Sequence, residues 1–252
     1  MSLVVKKKGD SPPIAKNGNN KVFVEDVHDN ENEVKEISGE FTFIPYIQEN
    51  QVLSLFISGV AGSGKSSFAR NSALALRKIK RFKKQPIFFI SVAYDGTLES
   101  LDNAYSDIED FNPICIYHPD FLSYDWETYQ DCIVILDDWD RLNKKDPIFV
   151  HLNDLVNKLL SLGRKKNTNV IIINHQTMDY NKTRNTIFEC NTYCIFPKSN
   201  QNSALKFIRS YVSDDKDVLE KIKKMKGNQF SPLIIHKTAP QYLLCNEWIK
   251  LL

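Results

Sequence analysis

The sequence predicts an α/β protein in which helices lie on both sides of a mostly parallel sheet. From residue 52 onward, apolar runs alternate with helical segments, and several runs are continuous, as in strands covered on both faces. The first run leads into a glycine-rich turn and a helix, and two later runs end in polar side chains. Polar groups at the ends of parallel strands favour a ligand site at that edge of the sheet.

Length and composition are those of one globular domain with short additions. The 252 residues suffice to bury a full core, and a net charge of +2 means that a nucleic-acid surface would have to be a local patch. The five cysteines lie largely within apolar runs and form no C-x-x-C motif, which favours buried, reduced thiols. No apolar run reaches the roughly 18 residues of a membrane span, and no secretory signal is visible. We expect a soluble, intracellular protein without membrane contacts.

The first fifty residues predict two short additions to the main domain. Residues 1–20 are rich in lysine, asparagine, glycine and proline, which predicts a flexible tail. Residues 21–50 contain β-type runs at 21–27 and 40–47, which predict a hairpin or edge strands. Residues 51–252 are expected to form the main domain, including its C-terminal helices and β-hairpin.

The main domain reads as alternating strands and helices. The predicted strands are residues 52–57, 86–92, 114–117, 132–136, 170–173 and 193–196, followed by two short β-type runs at 231–237 and 241–245. The predicted helices are residues 66–84, 147–162, 202–212 and 214–226, with a short helix closing the chain. Apolar residues at helical spacing support the second helix, and Gly163 is expected to end it.

The first of these strands is followed by a G-x-x-x-x-G-K-[ST] pattern from Gly59 to Ser66. Between a strand and a helix, this pattern predicts a phosphate-binding loop, because backbone N–H groups form an anion site at the helix N-terminus. Lys65 is expected to reach the β- and γ-phosphates, and the Ser66 hydroxyl to ligate Mg²⁺. The expected ligand is a nucleoside triphosphate, and its expected binding residues are Gly59, Gly62, Ser63, Gly64, Lys65, Ser66 and Ser67.

The strand at 132–136 ends in two carboxylates, Asp137 and Asp138. After a phosphate-binding loop, the first acid of such a pair is expected to hold Mg²⁺. The second is expected to orient the attacking water or accept its proton. A pair of acids favours hydrolysis over phosphoryl transfer to another substrate.

The strand at 170–173 ends in Asn174, His175 and Gln176. A polar side chain at this edge can contact the γ-phosphate or position the water. Gln176 is the first choice for this role and Asn174 the second. His175 has no partner at metal-ligand spacing, so we interpret it as structural.

Together these residues resemble the FtsK–HerA superfamily of P-loop DNA translocases. The resemblance rests on Gly64-Lys65-Ser66, on Asp137-Asp138, and on a Gly163-Arg164-Lys165 segment before a strand that leads to Gln176. The resemblance covers about residues 52–210. Within the superfamily, the chain looks most like the genome-packaging ATPases of large double-stranded DNA viruses and virophages. Two departures are visible: Asp138 stands where many relatives have Glu, and Asn174-His175 replaces smaller residues.

The resemblance implies a RecA-like ATPase that uses ATP and Mg²⁺ and forms a hexameric or pentameric ring around double-stranded DNA. It also implies a capsid or vertex partner, and a location in the host cytoplasm, at a viral assembly site or in the virion. In such rings an arginine of one subunit completes its neighbour's site. Arg164 matches the family position and Arg184 is the alternative. Within one subunit's motifs, no arginine is seen that would neutralise the transferring phosphoryl group.

Three other functions remain open at this stage. A viral ring helicase or replication ATPase would use Asn174 as a motif residue, but such domains usually follow a primase or origin-binding region. A nucleotide kinase would need an arginine-rich lid, which the sequence lacks. A nucleotide-gated protein without turnover would not need the Asp137-Asp138 pair. Candidate DNA-binding patches are the basic stretch at 77–84 and Lys221, Lys223, Lys224 and Lys226.

Overall fold

The structure is a computed structural model that describes residues 1–26, 33–101, 103–105, 107–177 and 184–252. It divides into two compact units. The parallel-sheet unit comprises Asn50–Ser58 and Gly64–Cys190. The antiparallel unit comprises Met1–Glu49, Gly59–Ser63 and Asn191–Leu252. The predicted domain boundaries stay a prediction.

The elements of the described residues are numbered in chain order. The strands are β1 (Ser2–Lys6), β2 (Ala15–Asn17), β3 (Asn20–Glu25), β4 (Glu36–Ser38), β5 (Thr42–Phe43), β6 (Ser54–Ser58), β7 (Ile87–Ser91), β8 (Phe111–Cys115), β9 (Ile133–Asp137), β10 (Asn169–Asn174), β11 (Thr192–Ile195), β12 (Leu233–His236), β13 (Tyr242–Leu244) and β14 (Trp248–Leu251). The helices are α1 (Lys65–Leu76), α2 (Pro147–Leu162), α3 (Arg184–Glu189), α4 (Gln201–Tyr211) and α5 (Lys216–Lys223).

The parallel-sheet unit contains strands in the order β6-β10-β9-β7-β8, each parallel to its neighbours. The central strands β6, β9 and β10 are almost entirely buried, as their continuous apolar runs predict. The prediction of a mostly parallel α/β sheet flanked by helices is confirmed. Since parallel strands end at one edge, β6, β9 and β10 bring Ser58, Asp137 and Asn174 to that edge.

Helix α2 spans Pro147–Leu162 as predicted, whereas the helix predicted at 66–84 begins close to its predicted start but ends early. Helix α1 stops at Leu76. Beyond it, the Arg77 guanidinium donates to the carbonyls of Gln85 (2.9 Å) and Glu109 (2.7 Å), so this basic residue fixes a turn of its own unit. After α2, Gly163 stays right-handed and opens a 3₁₀ turn, which ends at Asn167 with a φ of 55°.

The antiparallel unit corrects the prediction of a flexible tail at residues 1–20. Strand β1 pairs with β3, β3 with β2, and β2 with β5, forming a four-stranded sheet. The stretch contains few apolar residues, but Leu3, Ile14 and Ala15 are all buried in this sheet. Burial of these side chains offsets the conformational entropy of ordering the segment. The run predicted at 21–27, whose last residue lies outside the described residues, contributes β3 and the run at 40–47 contributes β5, and these two strands join one sheet without pairing with each other.

The C-terminal part of this unit corrects a second prediction. Strands β11 to β14 pair antiparallel in chain order, and β4 adds to β14. The last segment is thus a strand and not a short helix. In β14, Trp248, Ile249 and Leu251 are buried while Lys250 is partly exposed. Such a short segment takes its structure from its neighbours on either side.

Burial of His236 predicts a pH-dependent stability for the antiparallel unit. Its ring nitrogens lie 3.0 Å from the Thr192 hydroxyl and 2.9 Å from the Thr238 hydroxyl, and burial lowers the pKa of His236 to about 4. The histidine of the unfolded chain has a pKa near 6.5 and therefore takes up a proton more readily than the folded one. The free energy of unfolding accordingly decreases as the pH falls from about 6.5 towards 4. At pH 5 the loss is expected to be about 2 kcal/mol.

Hydrogen exchange at β12 and β13, measured at pH 7 and pH 5, tests this prediction. The opening free energy of the wild type should fall by about 2 kcal/mol more than that of a His236→Gln variant. Equal losses in both proteins would contradict it.

Among the residues that the structure describes, no helix combines the length and the apolar character needed to cross a membrane.

Candidate nucleotide-binding site

The predicted phosphate-binding loop leaves β6 at Gly59. Within the antiparallel unit, the Ser63 N–H donates to the Val60 carbonyl at 3.2 Å, which closes a tight turn. A Cβ atom on Gly59 would lie only 2.5 Å from the Ser63 hydroxyl, so this position has no room for a side chain. Gly62 also lies in this turn, with a φ of 74°.

Helix α1 starts immediately after the loop, in the parallel-sheet unit. Gly64 precedes it with a φ of 92°, a conformation that favours glycine. No side chain caps the first turn and no acidic residue lies in it. Amide N–H groups at such a helix start favour an anion through the helix dipole. Ser66 is partly buried and Ser67 is exposed in this first turn.

Lys65 is buried at the start of α1 among charged side chains. Burial lowers the pKa of Lys65, whereas the carboxylates of Asp138 and Asp137 oppose this shift. The guanidinium of Arg141 lowers the pKa of Lys65 further. Cations and carboxylates therefore meet around Lys65, an arrangement suited to a phosphate chain and its metal ion.

The two predicted acids lie where β9 ends. Asp137 is the last residue of the strand, and Asp138 follows with a left-handed φ of 58°. The Asp138 N–H donates to the Ile173 carbonyl of β10 at 3.3 Å, which fixes this turn beside the neighbouring strand. Left-handed backbone is uncommon outside glycine, but aspartate tolerates it better than most residues.

Asp138 forms a cluster with Arg141 and His175, called here the Asp138 cluster. His175 Nε2 lies 2.6 Å from Asp138 Oδ1, and Arg141 Nη1 lies 3.3 Å from Asp138 Oδ2. Arg141 Nη2 lies 2.8 Å from the same His175 Nε2. Burial lowers the pKa of His175, and the positive charge of Lys65 lowers it further. A neutral ring uses Nε2 for one contact only: the nitrogen donates to Asp138 or accepts from Arg141.

A third acid, Asp140, lies beside this cluster and is 8% exposed. Burial and the nearby Asp138 raise the pKa of Asp140, whereas His175 and the backbone N–H of Gln176 lower it. Gln176 thus contacts Asp140 through its main chain, and the residue as a whole is exposed to solvent.

The other candidate of this segment, Asn174, is fully buried at the end of β10. Among the described residues, neither atom of its side-chain amide has a hydrogen-bond partner. Its neighbour in β6, Ser58, bonds to the Thr177 hydroxyl at 2.9 Å instead. A buried amide in this state costs free energy unless something else satisfies it.

Neither of the two arginines predicted to complete a neighbouring subunit's site as an arginine finger lies in the Asp138 cluster. Arg164 is exposed in the turn before β10, at the sheet edge opposite to Asp137 and Asn174. Arg184 opens α3, and its guanidinium lies 5.7 Å from the Phe188 ring centre. Both positions stay predictions for a contact with a neighbouring subunit.

The candidate DNA-binding patches are partly engaged within their own units. Besides Arg77, Arg81 donates to the Gln51 carbonyl at 2.8 Å. In the antiparallel unit, Lys221 pairs with Glu36. These basic residues stabilise local structure, so phosphate contacts would depend on their lysine neighbours.

The structure thus brings together Lys65, Asp137 and Asp138, which the motifs predict. Sequence reasoning missed Arg141 and Asp140 and interpreted His175 as a structural residue. Asp140 and Arg141 follow Asp137 within four residues, so the sequence could have indicated that they lie near the site. His175 joins them only through tertiary packing, which the sequence does not show.

The donor chemistry of this edge fits Mg²⁺. Ser66 offers a hydroxyl and Asp137 a carboxylate, and Mg²⁺ typically takes one or two protein oxygens together with waters and phosphate oxygens. No cluster of three or more histidine, cysteine or acidic residues suited to another metal occurs in the described ranges.

Comparisons with known proteins agree with this architecture. No protein-family model matches the chain. The uncharacterized protein V3 of Sputnik virophage is 24% identical over 261 residues, covering 96% of each chain. The genome-packaging NTPase B204 of Sulfolobus turreted icosahedral virus 2, solved with AMP, is 16% identical with a TM-score of 0.53 and covers 79% of this chain and 98% of its own.

A further solved structure, the pCW3 conjugation coupling protein TcpA with ATPγS, is 14% identical with a TM-score of 0.53, covering 92% of this chain and 75% of its own. The chain therefore shares its fold with the genome-packaging NTPase B204 and the coupling protein TcpA, which agrees with the predicted resemblance at the level of the fold.

Proposed function

We propose that this chain is an ATP-hydrolysing DNA translocase that packages viral double-stranded DNA into a capsid. The observation that carries the proposal is the meeting of Lys65, at the start of α1, with Asp137 and Asp138 at the end of β9. A buried ammonium beside two carboxylates supports triphosphate binding and hydrolysis. Its shared fold with the genome-packaging NTPase B204 supports the packaging role.

In this proposal the residues from Gly59 to Ser67 bind the phosphates of ATP. Backbone N–H groups and Lys65 hold the phosphate oxygens, while Ser66 and Asp137 hold Mg²⁺. The metal ion, when bound, neutralises charge on the phosphates. Asp138 orients the attacking water, and Gln176 or Asn174 positions it.

Replacement of Asp138 by asparagine tests the proposed hydrolytic role. Asparagine tolerates the left-handed backbone, so the turn is retained while the acid is lost. We expect ATP binding to persist and turnover to fall by about 10²–10⁴-fold. Asp131→Asn is the matched control, because Asp131 is a left-handed aspartate at the other end of β9. Normal turnover in the Asp138→Asn variant would show that another residue orients the attacking water.

The proposed assembly is a ring, hexameric or pentameric, in which Arg164 of one subunit reaches the nucleotide of the next. Arg184 is the alternative. The ring would act on duplex DNA at a capsid or vertex, in the host cytoplasm or at the viral assembly site. These proposals rest on the resemblance and on the exposed position of Arg164.

ATP turnover with and without duplex DNA, on a sample of known oligomeric state, tests the function. We expect stimulation by duplex DNA of any sequence, with an affinity that falls steeply as salt increases, because phosphate contacts dominate. Assembled protein that is not stimulated would contradict packaging. Stimulation by single strands alone would favour the ring-helicase alternative.

A further inference from the structure

Arg141 contacts Asp138 in a way that leaves it able to move. A single contact of 3.3 Å joins its guanidinium to the carboxylate, and 56% of its side chain is exposed. Strong arginine–carboxylate pairs are bidentate and shorter, and exposed pairs contribute little free energy. In the same unit, Arg70 shows the strong form, with contacts of 2.8 and 2.7 Å to the two oxygens of Asp107.

The contacts of Asp138 compete with the role proposed for it. One carboxylate oxygen is taken by His175 and the other by Arg141. An ionised carboxylate has about four acceptor sites, so these two contacts occupy part of its capacity and compete with a water molecule. Release of Arg141 would expose Oδ2 and leave His175 Nε2 able to donate to Oδ1, since the ring would no longer be shared with the guanidinium.

The group best able to draw Arg141 away is a phosphate. Arg141 contacts Asp138 and His175 at the edge where β9 and β10 end, and the buried Lys65 begins the helix that packs against β10, so two cations lie near this edge of the sheet. Like charges at short range repel, and a polyanion bound between them relieves the repulsion. A guanidinium also binds phosphate in bidentate geometry, which the single long contact with Asp138 does not provide.

We propose that Arg141 leaves Asp138 for the terminal phosphate of the triphosphate bound to its own subunit, and thereby releases Asp138 to orient water. The proposal rests on the nucleotide site described above and adds a residue that acts in cis. It predicts that Arg141 distinguishes triphosphate from diphosphate, because a diphosphate lacks the terminal phosphate that the guanidinium would bind.

Turnover of Arg141→Met, Arg141→Lys and the control Arg70→Met tests this. We expect Arg141→Met to lower kcat by about 10³-fold, Arg141→Lys to lower it less, and Arg70→Met to leave it unchanged. The melting temperatures of the two Arg141 variants should stay close to that of the wild type, since the Arg141 side chain is exposed. Unchanged or faster turnover in Arg141→Met would overturn the proposal.

Mixing subunits separates a cis from a trans role. Arg141→Met mixed with Lys65→Ala should stay inactive, because the subunit that retains Lys65 lacks its own Arg141. Recovery of activity on mixing would show that Arg141 serves a neighbour and would overturn the cis assignment.

Nucleotide binding tests the role of Arg141 without requiring turnover. Failure of this proposal can therefore be distinguished from failure of the proposed ATPase function. The affinity of Arg141→Met for a non-hydrolysable ATP analogue should fall by about tenfold or more, while its affinity for ADP stays unchanged. Equal affinities of variant and wild type for the analogue would overturn the proposal, even in a protein that hydrolyses nothing.

Discussion

Replacing Lys65 by alanine is expected to lower ATP turnover by about 10²–10³-fold or more and to weaken triphosphate binding sharply. The ammonium lies buried at the start of α1 beside Asp137 and Asp138, where burial lowers its pKa. Its charge is thus held out of water before any ligand arrives, and a low-dielectric site strengthens its attraction for phosphate.

Binding of a fluorescent ATP analogue and steady-state turnover measure this effect. Lys78→Ala is the matched control, because Lys78 is exposed just beyond the end of α1. Because Lys78 lies in the candidate DNA-binding stretch 77–84, the comparison is made without DNA, where this variant should bind and hydrolyse ATP like the wild type. Equal turnover in Lys65→Ala and Lys78→Ala would remove Lys65 from the site.

Arg164→Ala subunits are expected to bind ATP normally and to hydrolyse it about 10³–10⁵-fold more slowly, as when an arginine finger is lost. Arg164 is exposed at the edge of the parallel sheet opposite to the end of β9, so it cannot serve Asp137 and Asp138 of its own chain without rearrangement. A neighbouring subunit could present it to the nucleotide.

Mixing Arg164→Ala with Lys65→Ala subunits should restore part of the activity, because intact halves of two defective sites can meet at an interface. A mixture that stays inactive, while both variants assemble, would exclude Arg164 as a trans-acting finger. Arg184→Ala would then be tested in the same mixture.

The sequence predicts the centre of the site because its signals are local. A strand, a glycine turn and a helix place Lys65 at a helix start through chain connectivity alone. Asp137 likewise follows from an apolar strand that ends in acids. The parallel arrangement of these strands follows from their continuous apolar runs.

The Asp138 cluster could not be predicted in this way, because its members are brought together by tertiary structure. Arg141 and His175 lie 34 residues apart, and they meet because β9 pairs with β10. For the same reason the sequence misjudges both chain ends. Strand β1 pairs with β3, which is not its neighbour in the chain, and β14 pairs with β4 from the N-terminal region, and local propensity does not report such pairings.

Movement along duplex DNA is the central claim, and displacement of a triplex-forming oligonucleotide measures it directly. Assembled wild-type protein with ATP should displace the third strand from a duplex while leaving the two duplex strands paired, and Lys65→Ala or wild type with ADP should not. An assembled sample that hydrolyses ATP yet displaces no third strand would contradict translocation, and separation of the duplex strands would favour a helicase.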